Sequence, residues 1–189
     1  MLTAGETAVA LTGIWRLAHF DPQGMAYFDR SLEGFWRSFR VAVFIAPFYA
    51  LLLALHFMDM PVQAGWPRLF LVEGIAYVIS WTAFPLAMVY VSRSLDRETE
   101  YLGFIIAYNW SAVLQIAVYL PVTLLTSDGV LPTGLDRLVG IFASLLLLAI
   151  AWFIVKTALR INGLAAIGIV ALDIAISLLI TSTTDGMLT

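Results

Sequence analysis

The residue of this chain best placed to do chemistry is an aspartate set in an apolar run. Asp173 has about nine residues of the stretch 163–181 on either side, nearly all of them Leu, Ile, Val, Ala or Gly. At the centre of a spanning helix an aspartate costs about 2.5–3.5 kcal/mol, and each Leu, Ile or Val neighbour offsets about 0.3–0.6 kcal/mol of that. The stretch still inserts, so the carboxyl must face a bundle interior or a wet cavity and find a partner there. Projecting the other apolar stretches at 100° per residue supplies candidates. Tyr101, Tyr108, Gln115 and Tyr119 share one face of 101–125, and Glu73, Tyr77, Ser80 and Phe84 share one face of 69–91. By depth, Ser80 and Gln115 fall level with Asp173. The expected buried cluster is therefore Asp173, Gln115 and Ser80 with Tyr77 and Tyr119 above them, and with Glu73 and Asn109 at the periphery. Two roles suit it. One is a polar pocket or proton-coupled path; the other is interhelical glue, each hydrogen bond contributing about 0.6 kcal/mol.

Five stretches long enough to cross about 30 Å of hydrocarbon must position these groups. They are 41–58, 69–91, 101–125, 138–159 and 163–181, and a tail of 183–189 follows. The expected fold is all-α, an integral membrane bundle of five transmembrane helices preceded by an amphipathic N-terminal segment, 1–40. Met60-Pro61 and Trp66-Pro67 should break the first loop, Ser127-Asp128-Gly129 the second, and Thr133 with Asp136 should open the fourth helix as a capping box. Asn162-Gly163 makes the tightest turn, so the fourth and fifth helices should be antiparallel neighbours. In 1–40, Asp21-Pro22 reads as a helix start. Phe28, Leu32, Phe35, Trp36 and Phe39 then form one face and Asp29, Arg30, Glu33, Arg37 and Arg40 the other. Such a helix either lies in the headgroup region or packs on the cytoplasmic end of the bundle. In the fifth stretch Ala165, Gly168, Ala171 and Ala175 cluster away from Asp173, and small residues permit close helix approach. The fourth helix is the expected occupant of that face; a dimer contact is the alternative.

Charge sets the orientation. Of ten basic residues, Arg16, Arg30, Arg37, Arg40, Arg93, Arg97, Lys156 and Arg160 fall at one boundary, and Arg68 and Arg137 at the other. Short cytoplasmic loops retain Lys and Arg, which places the N-terminus in the cytoplasm and the C-terminus outside. Lys156, one turn from its helix end, can snorkel to that boundary. With 61% hydrophobic and 12% charged residues and a mean hydropathy of +0.93, no aqueous surface could be built from 189 residues. Residues 1–40 lack the pattern of a removable signal peptide, so the first span is expected to act as the targeting signal.

Several chemistries lack residues. There is no cysteine, and the two histidines, His19 and His56, should lie on opposite sides of the membrane. No His-x-x-x-His pair offers a metal site within a span, and no Gly-x-Ser-x-Gly elbow or phosphate-binding glycine loop occurs. The expectation is a non-enzyme with no cofactor and no metal. Nucleic acid is not an expected partner, since the arginines are those of a membrane boundary.

From the second span onward the layout resembles that of bacterial members of the YIP family, the Ypt/Rab-interacting proteins. The likeness is carried by the link Arg93-Ser-Leu-Asp-Arg-Glu-Thr-Glu100, the aromatic and polar stretch Tyr101 to Tyr119, and Lys156-Thr-Ala-Leu-Arg-Ile-Asn-Gly163 followed by Leu164-Ala-Ala-Ile-Gly168. It covers about 120 residues. The resemblance implies a five-helix inner-membrane protein and supplies no catalytic residues. The Asp-Leu-Tyr-Gly-Pro motif of eukaryotic members is absent, so their role with Rab GTPases does not carry over.

Two functions follow as expectations. The first is a non-enzymatic membrane scaffold, organiser or accessory component in a bacterial inner membrane, in contact with lipid and with a membrane-protein partner or a second copy. The alternative is a small transporter or channel, proton-linked through Asp173. A wet path past Asp173 favours transport, and a dry, fully bonded cluster favours structure.

Overall fold

The computed structural model describes residues 4–58, 65–126, 132 and 134–188. Among these residues the chain is all-helical: α1 Ala4–Ala18, a 3-10 turn Pro22–Tyr27, α2 Leu32–Ser38, α3 Arg40–Met58, α4 Trp66–Ser94, α5 Glu98–Thr126, α6 Leu135–Leu159 and α7 Gly163–Leu188. Five segments are long and apolar enough to cross a membrane, the first being Leu32–Leu55 and the others α4 to α7. Only 11% to 33% of the most apolar window in each is buried within the chain. Side chains such as Val43, Phe70, Leu86, Phe142 and Leu164 point outward, an arrangement that hydrocarbon accommodates and water does not.

α5 packs against α3, α4 and α6, while α7 packs against α4 and α6. α4, α5, α6 and α7 thus form a ring with α5 diagonal to α7, and α3 packs on α5 and is hydrogen-bonded to α4. We call the end where α5 and α7 begin basal and the opposite end distal. At the basal end Arg160 caps α6 with φ 52° and Asn162 Oδ1 accepts from the Ala165 backbone N–H at 2.8 Å. That two-residue cap makes the tight α6–α7 turn. The Trp152 indole donates to the Gly163 carbonyl at 3.0 Å and Lys156 Nζ lies 5.0 Å from the Trp152 ring centroid, so this lysine is held over an aromatic face.

Several helices exceed their apolar cores. α4 begins at Trp66-Pro67 with proline in its first turn, as its missing N–H permits. The expected tail 183–189 is instead the end of α7 as far as Leu188, because Thr184 and Leu188 are buried there, Leu188 beside Leu69. Met60-Pro61, Ser127-Asp128-Gly129 and Thr133 lie outside the described residues. α6 starts on Gly134, whose φ of 103° suits glycine alone, with its N–H donating to Asp136 Oδ1 at 2.8 Å.

The N-terminal segment is not one amphipathic helix. α1 lays Ala10, Gly13, Ile14 and Leu17 against the 3-10 turn and the basal halves of α5 and α6. Gly13 and Gly24 let the backbones meet, since a Cβ on Gly24 would stand 2.5 Å from the Gly13 carbonyl oxygen. Arg16 ties the return together, donating to Asp21 at 2.6 Å, Tyr27 at 2.9 Å and Gln23 at 3.1 Å. The break at 28–31, where Ser31 caps α2 by accepting from the Gly34 N–H at 3.0 Å, shifts the helical register. The expected apolar face therefore splits: Phe28 and Phe35 are buried in the main core, Phe39 packs against it, and Leu32 and Trp36 point outward. Arg37 joins the ends of the unit by pairing with Glu6 and, at 2.5 Å, with Asp29.

Candidate functional site

The helices that surround Asp173 do not close on it. α3, α4, α5 and α7 stand apart around a cavity of about 360 Å³, to which α6 contributes no residue. Its wall includes Asp173, Gln115, Ser80, Tyr77 and Tyr119, and Asn109 as well. The structure thus brings the residues expected in the core cluster to one space. It does not make them one another's partners.

Asp173 is bonded to Tyr108, whose hydroxyl donates to Oδ1 at 2.9 Å across the α5–α7 diagonal. The expected meeting of Asp173 with Gln115 and Ser80 is corrected accordingly. Both partners are the eleventh residue of a helix that starts at the basal end, so they lie at one depth, whereas Gln115 is two turns farther along α5. Ser80 Oγ donates to the Ala76 carbonyl of its own helix at 2.8 Å. Gln115 and Tyr119 are exposed in the wall, and Gln115 has no hydrogen-bond partner among the described residues. Tyr77 donates to the Ala42 carbonyl of α3 at 2.6 Å.

The tyrosine missed as the partner had a visible signal, since Tyr108 shares the face of Tyr101 and Gln115. Its ring is held by Phe84, with centroids 4.6 Å apart. Tyr49 and Trp81 also line the cavity; Tyr49 carried no signal, because nothing in 41–58 marked which of its faces turns inward. Asn109 is 1% exposed and its Nδ2 donates to Ser38 Oγ at 2.8 Å, which in turn donates to the Phe35 carbonyl at 2.7 Å. Asn109 Oδ1 is buried without a partner, a state that costs about 1–3 kcal/mol.

A second cavity, of about 270 Å³, lies on the distal side and shares Tyr49, Ser80 and Ile180 with the first. Glu73 is buried in its wall and accepts from the Tyr49 hydroxyl at 3.1 Å; Thr184 and Asp185 of α7 also line it. Among the described residues the two cavities thus present Asp173, Glu73 and Asp185 and no Lys, Arg or His. Such walls suit a proton, a cation or a neutral donor and repel an anion. No group of three or more His, Cys, Asp or Glu able to hold a metal occurs among the described residues.

The small-residue face of α7 stands elsewhere. Gly168, Ala171 and Ala175 are exposed, Ala165 is partly so, and a Cβ on Gly168 would meet nothing within 4 Å. α6 is not the occupant expected for it: α7 turns Ala166 and Ile169 inward instead. Comparison with protein-family models, with curated proteins and with solved structures finds no match to this chain.

Proposed function

We propose that this chain, a multi-span helical membrane protein, is a non-enzymatic conductor of protons or of a small solute coupled to them, working through the chamber at Asp173. The observation that supports this reading is that Asp173 stands in the wall of a cavity of about 360 Å³ with, among the described residues, a single hydrogen-bonding side chain, Tyr108. A carboxylate serving as glue alone would be enclosed by its partners. The adjoining cavity with Glu73 and Asp185 extends an acid-lined route toward the distal end. The eight basic residues gathered in the N-terminal unit and at the basal helix ends support a cytoplasmic basal side and an outward distal side, in a bacterial inner membrane.

The test is proton flux into vesicles carrying the purified chain and an internal pH dye, driven by a potassium diffusion potential. Wild type should acidify the lumen faster than empty vesicles, and Asp173→Asn should fall to the empty-vesicle rate. Equal rates for wild type and empty vesicles overturn the proposal.

A second reading, a scaffold that organises membrane components, is favoured by the open face at Gly168, Ala171 and Ala175, where a partner helix or a second copy could approach closely. Recovery of a stoichiometric membrane partner in mild detergent, together with no flux, would select it. The likeness to the YIP family, carried by the basal link, the aromatic α5 and the Asn162-Gly163 turn, bears on architecture and adds no residue to the site.

A further inference from the structure

The chamber is too large and too aromatic for a proton alone. Tyr49, Tyr77, Trp81, Phe84, Tyr108 and Tyr119 line it beside one carboxylate, and aromatic faces attract organic cations through the ring quadrupole. Its volume of about 360 Å³ lies in the range of about 300–1,000 Å³ typical of sites for small organic molecules. A bare metal ion would want several oxygen ligands converging on one point, whereas the acidic side chains here are dispersed along two cavities. Hydrogen bonding narrows the choice. Among the described residues Asp173 has one donor, Tyr108, on Oδ1, which leaves its carboxylate free to accept more. A ligand bearing both positive charge and N–H groups would donate to that carboxylate, while the isoleucines of α3, α5 and α7 in the same wall offer a surface for a short hydrocarbon body.

We infer that the chamber binds a protonated alkylamine, its ammonium group at Asp173 and its hydrocarbon among the aromatic rings. This inference rests on the chamber being the working site. The ammonium donates hydrogen bonds to the carboxylate, and no covalent bond changes. A quaternary ammonium satisfies the charge but donates no hydrogen bond to the carboxylate, so it should bind more weakly. A carboxylate ligand of the same length should not bind.

The experiment is calorimetric titration of the full chain in lipid nanodiscs, corrected against empty nanodiscs, with butylammonium, tetramethylammonium, butanol and butanoate as probes. Butylammonium should bind saturably, tetramethylammonium more weakly, and butanol and butanoate without saturation. Asp173→Asn keeps an acceptor for Tyr108 and should weaken butylammonium at least about tenfold, the loss expected of one charge-assisted hydrogen bond. If that variant fails to fold, Trp81→Leu, which leaves the Tyr108–Asp173 bond in place, should also weaken binding. Absence of saturable butylammonium binding, or binding unchanged in the variant that folds, overturns the inference. Asp173-dependent proton flux without amine binding would sink the amine and leave the conductor standing, whereas loss of both flux and binding would remove both.

Discussion

Asp173 and Tyr108 are coupled because each is ten residues beyond the basal start of its helix, and a tyrosine is long enough to cross the diagonal between α5 and α7. Removing the hydroxyl leaves the carboxyl without its donor. Tyr108→Phe should therefore lower stability by about 1–3 kcal/mol, read as thermal unfolding in detergent. Ser80→Ala is the contrast, since its hydroxyl bonds within its own helix; it should stay within about 0.5 kcal/mol of wild type. Equal losses in the two variants would show that the diagonal bond is no special constraint. The polar faces of α4 and α5 were legible because helical periodicity sorts residues by angle. The partner of Asp173 was not, because depth was taken from the centres of the apolar stretches, while α7 runs on to Leu188 and so leaves Asp173 nearer its basal end, level with Tyr108 rather than Gln115.

In the N-terminal unit, ion pairs add to the apolar contacts that link the elements. Hydrogen bonds from Ser31 and the nearby Arg37 guanidinium hold the Asp29 carboxyl below the usual carboxylate range. The Gln23 backbone N–H and Arg16 do the same for Asp21. A depressed folded-state value contributes stability that is fully present above the unfolded value, near pH ~4, and is lost as pH falls through the depressed value. Acidification should thus loosen the two returns that Asp21 and Asp29 hold between α1 and α2, and so widen the α1–α2 separation, while the spanning helices persist. Spin labels at Ala8 and Leu32, both exposed, would report it as a broadened distance distribution below that pH; an unchanged distribution would refute it. The aromatic and charged periodicity here was joined into one helix with a single apolar face, which the structure splits. Gly24, Gly34 and the Ser31 cap turn it into two short helical pieces whose tight contacts depend on glycine.

At the scale of the molecule, orientation is the consequence most open to test. The chain has no cysteine, so single thiols at exposed Ser94 and Ser182 can be compared cleanly. An impermeant maleimide should label Ser182→Cys on intact cells and Ser94→Cys only after permeabilisation; the reverse pattern would invert the assignment. What the amino-acid order determined unaided is the number of spanning helices, their approximate limits and the sidedness of charge, because partition into hydrocarbon depends on local composition and length. Tertiary structure alone decided that Asp173 pairs with Tyr108, that the small face of α7 stays open, and that α3, α4, α5 and α7 part around a chamber. Those outcomes depend on how far one helix slides and rotates against another. Lipid is as apolar as the helix surfaces, so hydrophobicity cannot choose among such arrangements, and side-chain packing and hydrogen-bond reach must.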